Sequence, residues 1–403
     1  MPRIEFTNPQ VASSETARDI NRSIVLNLIR TDQPISRADL ARATGLQRST
    51  VSLIVDQLMG ERWVVEGAVG NLPRGRKPRL LRLNNDRAGI IGINIMPRGT
   101  TIVLADLNFS FRDEVSIPTA PEPRDFIKSL CTQVRNLIRA HPDIAFEGIG
   151  VSIPGRVDYA SQKLVFAPNL GWKQVDLKTP LERTTRLAVQ IENAANACAL
   201  AEVWAGPYKG TRELIAVTVS EGIGTGIIAN GHLVRGGTGA AGEFGHVSFN
   251  GDGPACGCGS RGCWEAYASN SAAIKYYNCR ISKSGAQGNR APAPAAVSSF
   301  SDLILLAEGG DVIAGEVFDR MANYLGIGIA MLINALAPSI IIIVGEVTRV
   351  WGRINPIVQR VVQERARTHA STRIVPLDNS TRPRLRGTVA LVLQKHFQPQ
   401  LSV

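Results

Sequence analysis

Between Gly242 and Glu265 the chain reads GEFGHVSFNGDGPACGCGSRGCWE, placing one imidazole, His246, ahead of three thiols, Cys256, Cys258 and Cys263, within eighteen residues. One nitrogen and three sulfurs make a complete tetrahedral set for zinc, and a structural site of this kind leaves no open position for a catalytic water. Ordinary buried cysteines are the alternative. Apolar packing, however, has no use for glycines at 257, 259 and 262, whereas a backbone that must aim three sulfurs at one point does. The expectation is a structural Zn²⁺ held by His246, Cys256, Cys258 and Cys263. Two carboxylates, Glu243 and Glu265, flank the ligands, so a knot that fixes His246 also fixes them for gripping a polar molecule.

The run E-x-G-H followed by C-x-C-G-x-x-G-C-x-E resembles the signature of the ROK family of repressors, open reading frames and sugar kinases, and most closely its xylose and N-acetylglucosamine type of repressor. The resemblance implies that Glu243, His246 and Glu265 contact sugar hydroxyls, with His246 binding zinc through its other ring nitrogen. It also implies a two-lobed actin-like ATPase fold in which sugar and nucleotide meet in a cleft. Gly155, Asn169 in Ala-Pro-Asn-Leu-Gly-Trp, and Asn193 stand at positions similar to the family's remaining sugar contacts. Amides and carboxylates suit that task, because each hydroxyl both donates and accepts. Read alone, Asn169 is rather a turn residue and Asn193 a helix cap, and it is their coincidence with the motif that reverses the preference.

On the nucleotide side the chain departs from the kinases. Where they read D-x-G-G-T, it has Asn94-Ile95-Met96-Pro97-Arg98-Gly99-Thr100, which loses the carboxylate and crowds the phosphate approach. In place of E-N-D-x-N stands Glu192-Asn193-Ala194-Ala195-Asn196, so the position of the catalytic base is Ala194. Alanine accepts no proton. Where G-T-G-x-G is expected, Ser220-Glu221-Gly222-Ile223-Gly224-Thr225-Gly226 puts Glu221 near anionic phosphates. Losing a positioned base alone costs roughly 10²–10⁴ in rate, so the cleft is read as non-catalytic.

Ahead of this region the pattern is helical. Residues 1–15 are polar and unpatterned, a loose tail. Ile20, Ile24, Leu28 and Ile29 mark a first helix that ends near Thr31-Asp32-Gln33-Pro34, and Ser36 with Asp39 forms a capping box for a second. Gly45 supplies a turn, and a third helix opens near Gln47 with Val51, Ile54, Val55 and Leu58 inward. Gln47, Arg48, Ser49, Thr50 and Ser52 are then left near its exposed start, where a recognition helix meets base edges and phosphates. Trp63 to Val65 and Leu80 to Leu83 read as strands around a loop from Gly67 to Pro78 that carries Arg74, Arg76 and Lys77. That arrangement is a winged helix-turn-helix over residues 16–84, with a basic wing for phosphate or minor-groove contacts. A plain three-helix bundle with a solvated face is the alternative.

From Ala88 the pattern is α/β: strands Gly89–Ile95, Thr101–Leu107 and Gly148–Ile153, a helix Phe126–Ile138, a long apolar helix Val317–Ala337 with Gly326 and Gly328 for close packing, and a buried strand Ile340–Val344. The stretch Lys283–Ser299, rich in Ala, Pro, Gly and Ser, reads as a mobile loop, and Asp302–Ala307, Ile357–Ala366 and Thr388–His396 read as helices. The lobes are taken as 85–193 and 194–403, with the zinc loop at 246–263 in the second. By resemblance, the last helix packs back on the first lobe.

With 403 residues, 44% hydrophobic and 20% charged, the chain has the composition of a globular protein, without an apolar run of membrane-spanning length or a secretory leader. Six cysteines, three outside the metal set (Cys131, Cys198, Cys279), suit a reducing, cytoplasmic setting. A net charge of +11 makes a polyanionic partner plausible. The expected partners are a double-stranded DNA operator and a small sugar or sugar phosphate effector, and the expected assembly is a homodimer or homotetramer. The expected function is a sugar-responsive regulator, in all expectation a repressor and not an enzyme; a kinase with a DNA-binding appendage and a constitutive DNA binder with a relic sugar lobe are the alternatives.

Overall fold

The computed structural model describes residues 14–69, 78–285, 296–366 and 372–397. At the N-terminal end, α1 (Ser14–Asp32), β1 (Ile35–Ser36), α2 (Arg37–Thr44), α3 (Arg48–Gly60), β2 (Val64–Val69) and β3 (Arg79–Leu83) form three helices and a small sheet ordered β1-β3-β2. Helix α1 starts at Ser14, so the last two residues assigned to the tail belong to it, and residues 1–13 lie outside the described ones. The capping box forms: the Asp39 amide donates to Ser36 Oγ at 3.2 Å, and the Ser36 amide donates to the Asp39 carboxylate at 3.3 Å. Gly45 takes φ +71°, which lets the chain turn into α3, whose Val51, Ile54, Val55 and Leu58 are all buried. Strand β2 runs on to Val69, past the expected loop start at Gly67, because Glu66 pairs with Leu81 and Val69 with Arg79 across a bulge. Arg74, Arg76 and Lys77 lie outside the described residues.

The next sheet is ordered β11-β7-β4-β5-β6. It is built from β4 (Gly89–Met96), β5 (Gly99–Ala105), β6 (Phe111–Ile117), β7 (Phe146–Ile153) and β11 (Val189–Asn193), with α4 (Pro123–Ala140) covering one face. Strand β6 was not foreseen: Arg112, Asp113 and Glu114 hide an edge strand in a charged stretch. A second small sheet holds β8 (Arg156–Asp158), β9 (Lys163–Ala167) and β10 (Trp172–Val175), followed by α5 (Lys178–Thr185). After β11 comes α6 (Ala194–Trp204), every residue of which is buried.

The remaining sheet, β14-β13-β12-β15-β16, uses β12 (Leu214–Val219), β13 (Ile223–Ala229), β14 (His232–Leu233), β15 (Ile340–Val344) and β16 (Arg373–Pro376). Strand β15 is wholly buried between parallel neighbours β12 and β16, which explains its unbroken apolar run. Helices α7 (Glu265–Ala268), α8 (Asn270–Gly285), α9 (Phe300–Glu308), α10 (Val312–Leu336), α11 (Trp351–Arg365) and α12 (Pro383–Phe397) complete the chain. The expected loop at 283–299 is shorter at both ends, since α8 reaches Gly285 and Ser299 caps α9; residues 286–295 lie outside the described ones. Helix α10 begins at Val312, before the apolar run expected from Val317, because the Asp311 side chain caps it by accepting the Ala314 amide. Helix α11 begins at Trp351, ahead of the expected Ile357, with Pro356 accommodated inside its second turn.

The close packing expected of α10 is present: a Cβ at Gly328 would lie 2.0 Å from the Trp264 ring. Helix α12 does pack back on β4 and β7, so closely that a Cβ on Gly150 would fall 2.0 Å from the Thr388 carbonyl oxygen. It also packs on α6 and α1, tying the N-terminal helices to the body.

Candidate functional site

The ligand atoms of His246, Cys256, Cys258 and Cys263 all lie within 4.8 Å of one another. Cys258 Sγ is 3.8 Å from Cys263 Sγ, and Cys256 Sγ is 3.6 Å from His246 Nδ1. A tetrahedral ion with metal–sulfur bonds of about 2.3 Å and a metal–nitrogen bond of about 2.0 Å has edges of about 3.8 and 3.5 Å, so the four residues fit one. Burial pushes the Cys256 and Cys263 thiols up, and only a cation at their centre would hold them as thiolates. Two bridges, Ser248 to Cys263 and Ala255 to Arg261, fold the loop back on itself. Gly262 takes φ +66° and a Cβ there would meet the Asn250 carbonyl oxygen at 1.7 Å, while Gly259 sits at φ +93°. Gly257 has a free surface around it and no positive φ, so of the three interleaved glycines it alone has no steric reason to be there.

With Nδ1 facing the thiols, His246 turns Nε2 outward, 3.7 Å from Glu243 Oε2. The ring thus looks at the metal set with one nitrogen and at a cleft with the other. Gly155, Asn169, Asn193, Glu243, His246 and Glu265 all line this cleft, and so does Ala194. Its walls are the start of α6, the β12–β13 turn, the β7–β8 turn and the cysteine loop.

The six residues are not equally free. Asn193 caps α6 by accepting the Ala195 amide at 2.8 Å and donates to the Gly155 carbonyl at 2.6 Å, so much of its amide is committed to structure. Glu265 accepts the Ile223 amide through Oε2 at 3.0 Å, which ties the start of α7 to β13, and its Oε1 lies 3.5 Å from Cys256 Sγ. Among the described residues, Glu243 accepts no backbone amide, and its closest charged contact is the His246 ring at 3.7 Å. Although its side chain is 42% exposed, the cleft walls push its carboxyl above the ordinary value, against the pull of His246 and Arg156. Glu243 is therefore the carboxylate best placed to exchange hydrogen bonds with an incoming hydroxyl.

Ala194, 8% exposed, presents only a methyl group to the cleft. Asn94 is buried, and its Oδ1 has no partner among the described residues. Glu221 stands exposed at the lobe junction.

On the far domain, Gln47, Arg48 and Ser49 are exposed at the start of α3, and Thr50 and Ser52 are half-buried. The Ser52 carbonyl already accepts from Arg37, which also pairs with Asp56 at 2.8 Å and so offsets the one acid on this face. Sequence reading missed Leu53, which is 70% exposed beside Arg48 and Ser49. An apolar residue on a polar helical face was the available signal.

Residues 90–395 match the ROK family profile. The chain belongs to the ROK family. It is 34% identical over 336 residues, 83% of this chain and 84% of the relative, to a xylose repressor of Bacillus subtilis. Among solved structures, a ROK family transcriptional regulator described as a homologue of the E. coli MLC protein superposes with a TM-score of 0.81 at 24% identity, covering 95% of this chain and 98% of that one. That likeness is one of fold, and its extent takes in the N-terminal helices as well as the two lobes. A ROK family glucokinase from Streptomyces griseus, solved with glucose and AMPPNP, gives a TM-score of 0.66 at 28% identity over 76% of this chain and all of the kinase. The ROK body is thus a kinase-type fold, carried here behind an extra N-terminal domain.

Proposed function

We propose that this ROK protein is a sugar-responsive DNA-binding transcriptional repressor whose kinase-like cleft binds a sugar without phosphorylating it. The observation that carries the reading is Ala194, a methyl group at the base position of a cleft whose sugar-facing residues are otherwise present, in a chain that also bears three helices and a small sheet with a polar recognition face. The similarity to a xylose repressor points the same way. Residues 16–84 form the DNA-binding unit, with Gln47, Arg48, Ser49, Thr50 and Ser52 reading bases or phosphates and Arg74, Arg76 and Lys77 on the wing. Residues 85–193 and 194–403 form the lobes, and Gly155, Asn169, Asn193, Glu243, His246 and Glu265 hold the sugar. His246, Cys256, Cys258 and Cys263 hold one structural zinc, which supplies a rigid anchor for the loop bearing His246. Two copies bind a palindromic site, since one winged domain reads a short half-site and symmetry doubles it.

The test has two arms. DNA recovered from a randomised pool by the purified protein should be palindromic and should be released by one member of a panel of sugars. The same panel with ATP and Mg²⁺ should yield no phosphosugar. Turnover in the common enzyme range of about 1–10³ s⁻¹ would overturn the reading.

A further inference from the structure

Beyond Asn169, Glu221 and Glu265 the cleft opens into a second cavity of about 440 Å³, bounded by α8 and α10, and these three residues line both spaces. The chemistry changes across this boundary. The near side carries the carboxylates of Glu221 and Glu265, whereas the far side carries Lys275 of α8 and Arg320 of α10. Arg320 is half-buried within a set of tyrosine rings: its guanidinium carbon lies 4.6 Å from the Tyr276 centroid, 5.1 Å from Tyr324 and 6.0 Å from Tyr267. Tyr267 and Tyr324 are stacked at 4.2 Å. Nothing among the described residues forms an ion pair or a hydrogen bond with Arg320, whose contacts are with the tyrosine rings.

A guanidinium presents five N–H donors in a planar fork. Held by aromatic faces, the fork is oriented before any ligand arrives, and a charge-assisted pair with an oxyanion is the strong interaction it is shaped for. Arginines that only cover aromatic surfaces ordinarily keep their donors in open water or on a nearby carboxylate, and this one instead lines a cavity joined to the sugar cleft. We propose that Arg320, assisted by Lys275, binds an anionic substituent of the effector, so that the preferred ligand is a sugar bearing a carboxylate or a phosphate, its ring in the cleft and its charge in the adjoining cavity. The proposal rests on the reading of the cleft as a sugar site. It adds the class of sugar.

The experiment measures the affinity of the full-length protein by calorimetry for glucose, galactose, mannose, xylose and N-acetylglucosamine, together with the uronates of the three hexoses, xylonate, and the phosphate esters of all five. At least one anionic form should bind about tenfold or more tightly than its neutral parent. In Arg320→Met that preference should disappear while affinity for the neutral parent is kept, and Arg320→Lys should restore part of it. The uronate and xylonate arms against the phosphate arm identify which anion is taken. Equal affinity for neutral and anionic forms, or a preference that survives in Arg320→Met, overturns this proposal and leaves the sugar site standing. Absence of binding by every sugar overturns both.

Discussion

Arg48 and Leu53 are both exposed on α3, and on the proposed function they would meet DNA by different chemistry. An arginine at the start of a recognition helix gives bidentate hydrogen bonds to guanine, each worth about 1–3 kcal/mol of discrimination, whereas a leucine has only the thymine methyl as an apolar partner in the major groove. Arg48→Ala should therefore weaken binding to selected DNA by about tenfold or more while leaving random DNA little changed, as gel shifts would show. Uracil in place of a contacted thymine should weaken wild type and not Leu53→Ala; equal sensitivity of the two proteins would exclude this role for Leu53. In the cleft, Glu243→Ala should retain the metal, the fold and DNA binding but lose sugar-induced release, because among the described residues Glu243 makes no structural bond beyond its contact with His246. Release at the wild-type sugar concentration would remove Glu243 from the effector site. Residue types and spacing brought the metal set into view, since its four residues lie in one short run, whereas the cleft residues Gly155, Asn169 and Asn193, distant in sequence from that run, came from the family resemblance. The local cap that Asn193 makes on α6 was also legible, but the commitment of Glu265 to the Ile223 amide and the place of Arg320 in the adjoining cavity were not, because those partners come from distant segments.

At the scale of elements, the cysteine loop and α6 make opposite demands on the chain. The loop has little apolar mass of its own and depends on its four ligands; a structural zinc contributes on the order of 10 kcal/mol to such folding. Cys256→Ala or Cys258→Ala should bring the metal content from about one zinc per chain to little, by elemental analysis, and abolish sugar binding with it. Full sugar affinity in a metal-free variant would contradict the anchoring role. Helix α6 is instead buried along its whole length, and it carries Glu202, 2% exposed, with Oε2 unpaired and packed against Gly206. Burial raises this carboxyl from 4.5 to about 7, with Arg386 pulling the other way. The folded state thus favours the protonated form, so the contribution to stability is complete below about pH 4.5 and is lost as the pH rises through 7. Glu202→Gln should be more stable than wild type at pH 8, by up to about 3 kcal/mol, and close to it at pH 5. The same difference in Tm at both values would mean that the carboxyl does not titrate there. Apolar periodicity predicted most helices and strands, but not β6 or the early start of α11, where a charged edge and a proline hide regular backbone.

Across the whole molecule, α6 runs from the cleft to the N-terminal helices. Its first residue, Ala194, lines the cleft, and its last, Trp204, lies against α1 about 15 Å away by helical rise. There Arg30 of α1 donates from Nη1 to the Trp204 carbonyl at 2.6 Å, donates from Nε and Nη2 to Asn27, and stacks over the Trp204 ring at 4.3 Å. Phe397 of α12 packs edge-on to both Trp204 and Trp63, closing the joint from the body side. Burial lowers Arg30 to about 10, so it remains charged at neutral pH and its hydrogen bonds are the reason the charge is tolerated. A sugar that draws the lobes together around the cap of α6 must move Trp204 relative to α1 or strain this contact, and either gives the sugar different affinities for the DNA-bound and free states. Coupling of that kind is reciprocal: the factor by which sugar weakens DNA equals the factor by which DNA weakens sugar. Arg30→Met keeps the length of the side chain and removes the bonds to Trp204 and Asn27, so sugar affinity and DNA affinity measured separately should stay within about threefold of wild type, while the coupling factor falls toward one. The measurement is sugar affinity with and without saturating selected DNA, in both proteins. If Arg30→Met retained the wild-type factor, the path from cleft to DNA would have to bypass α6, and α12, which packs on α6, β4, β7 and α1 alike, would be the element to alter next.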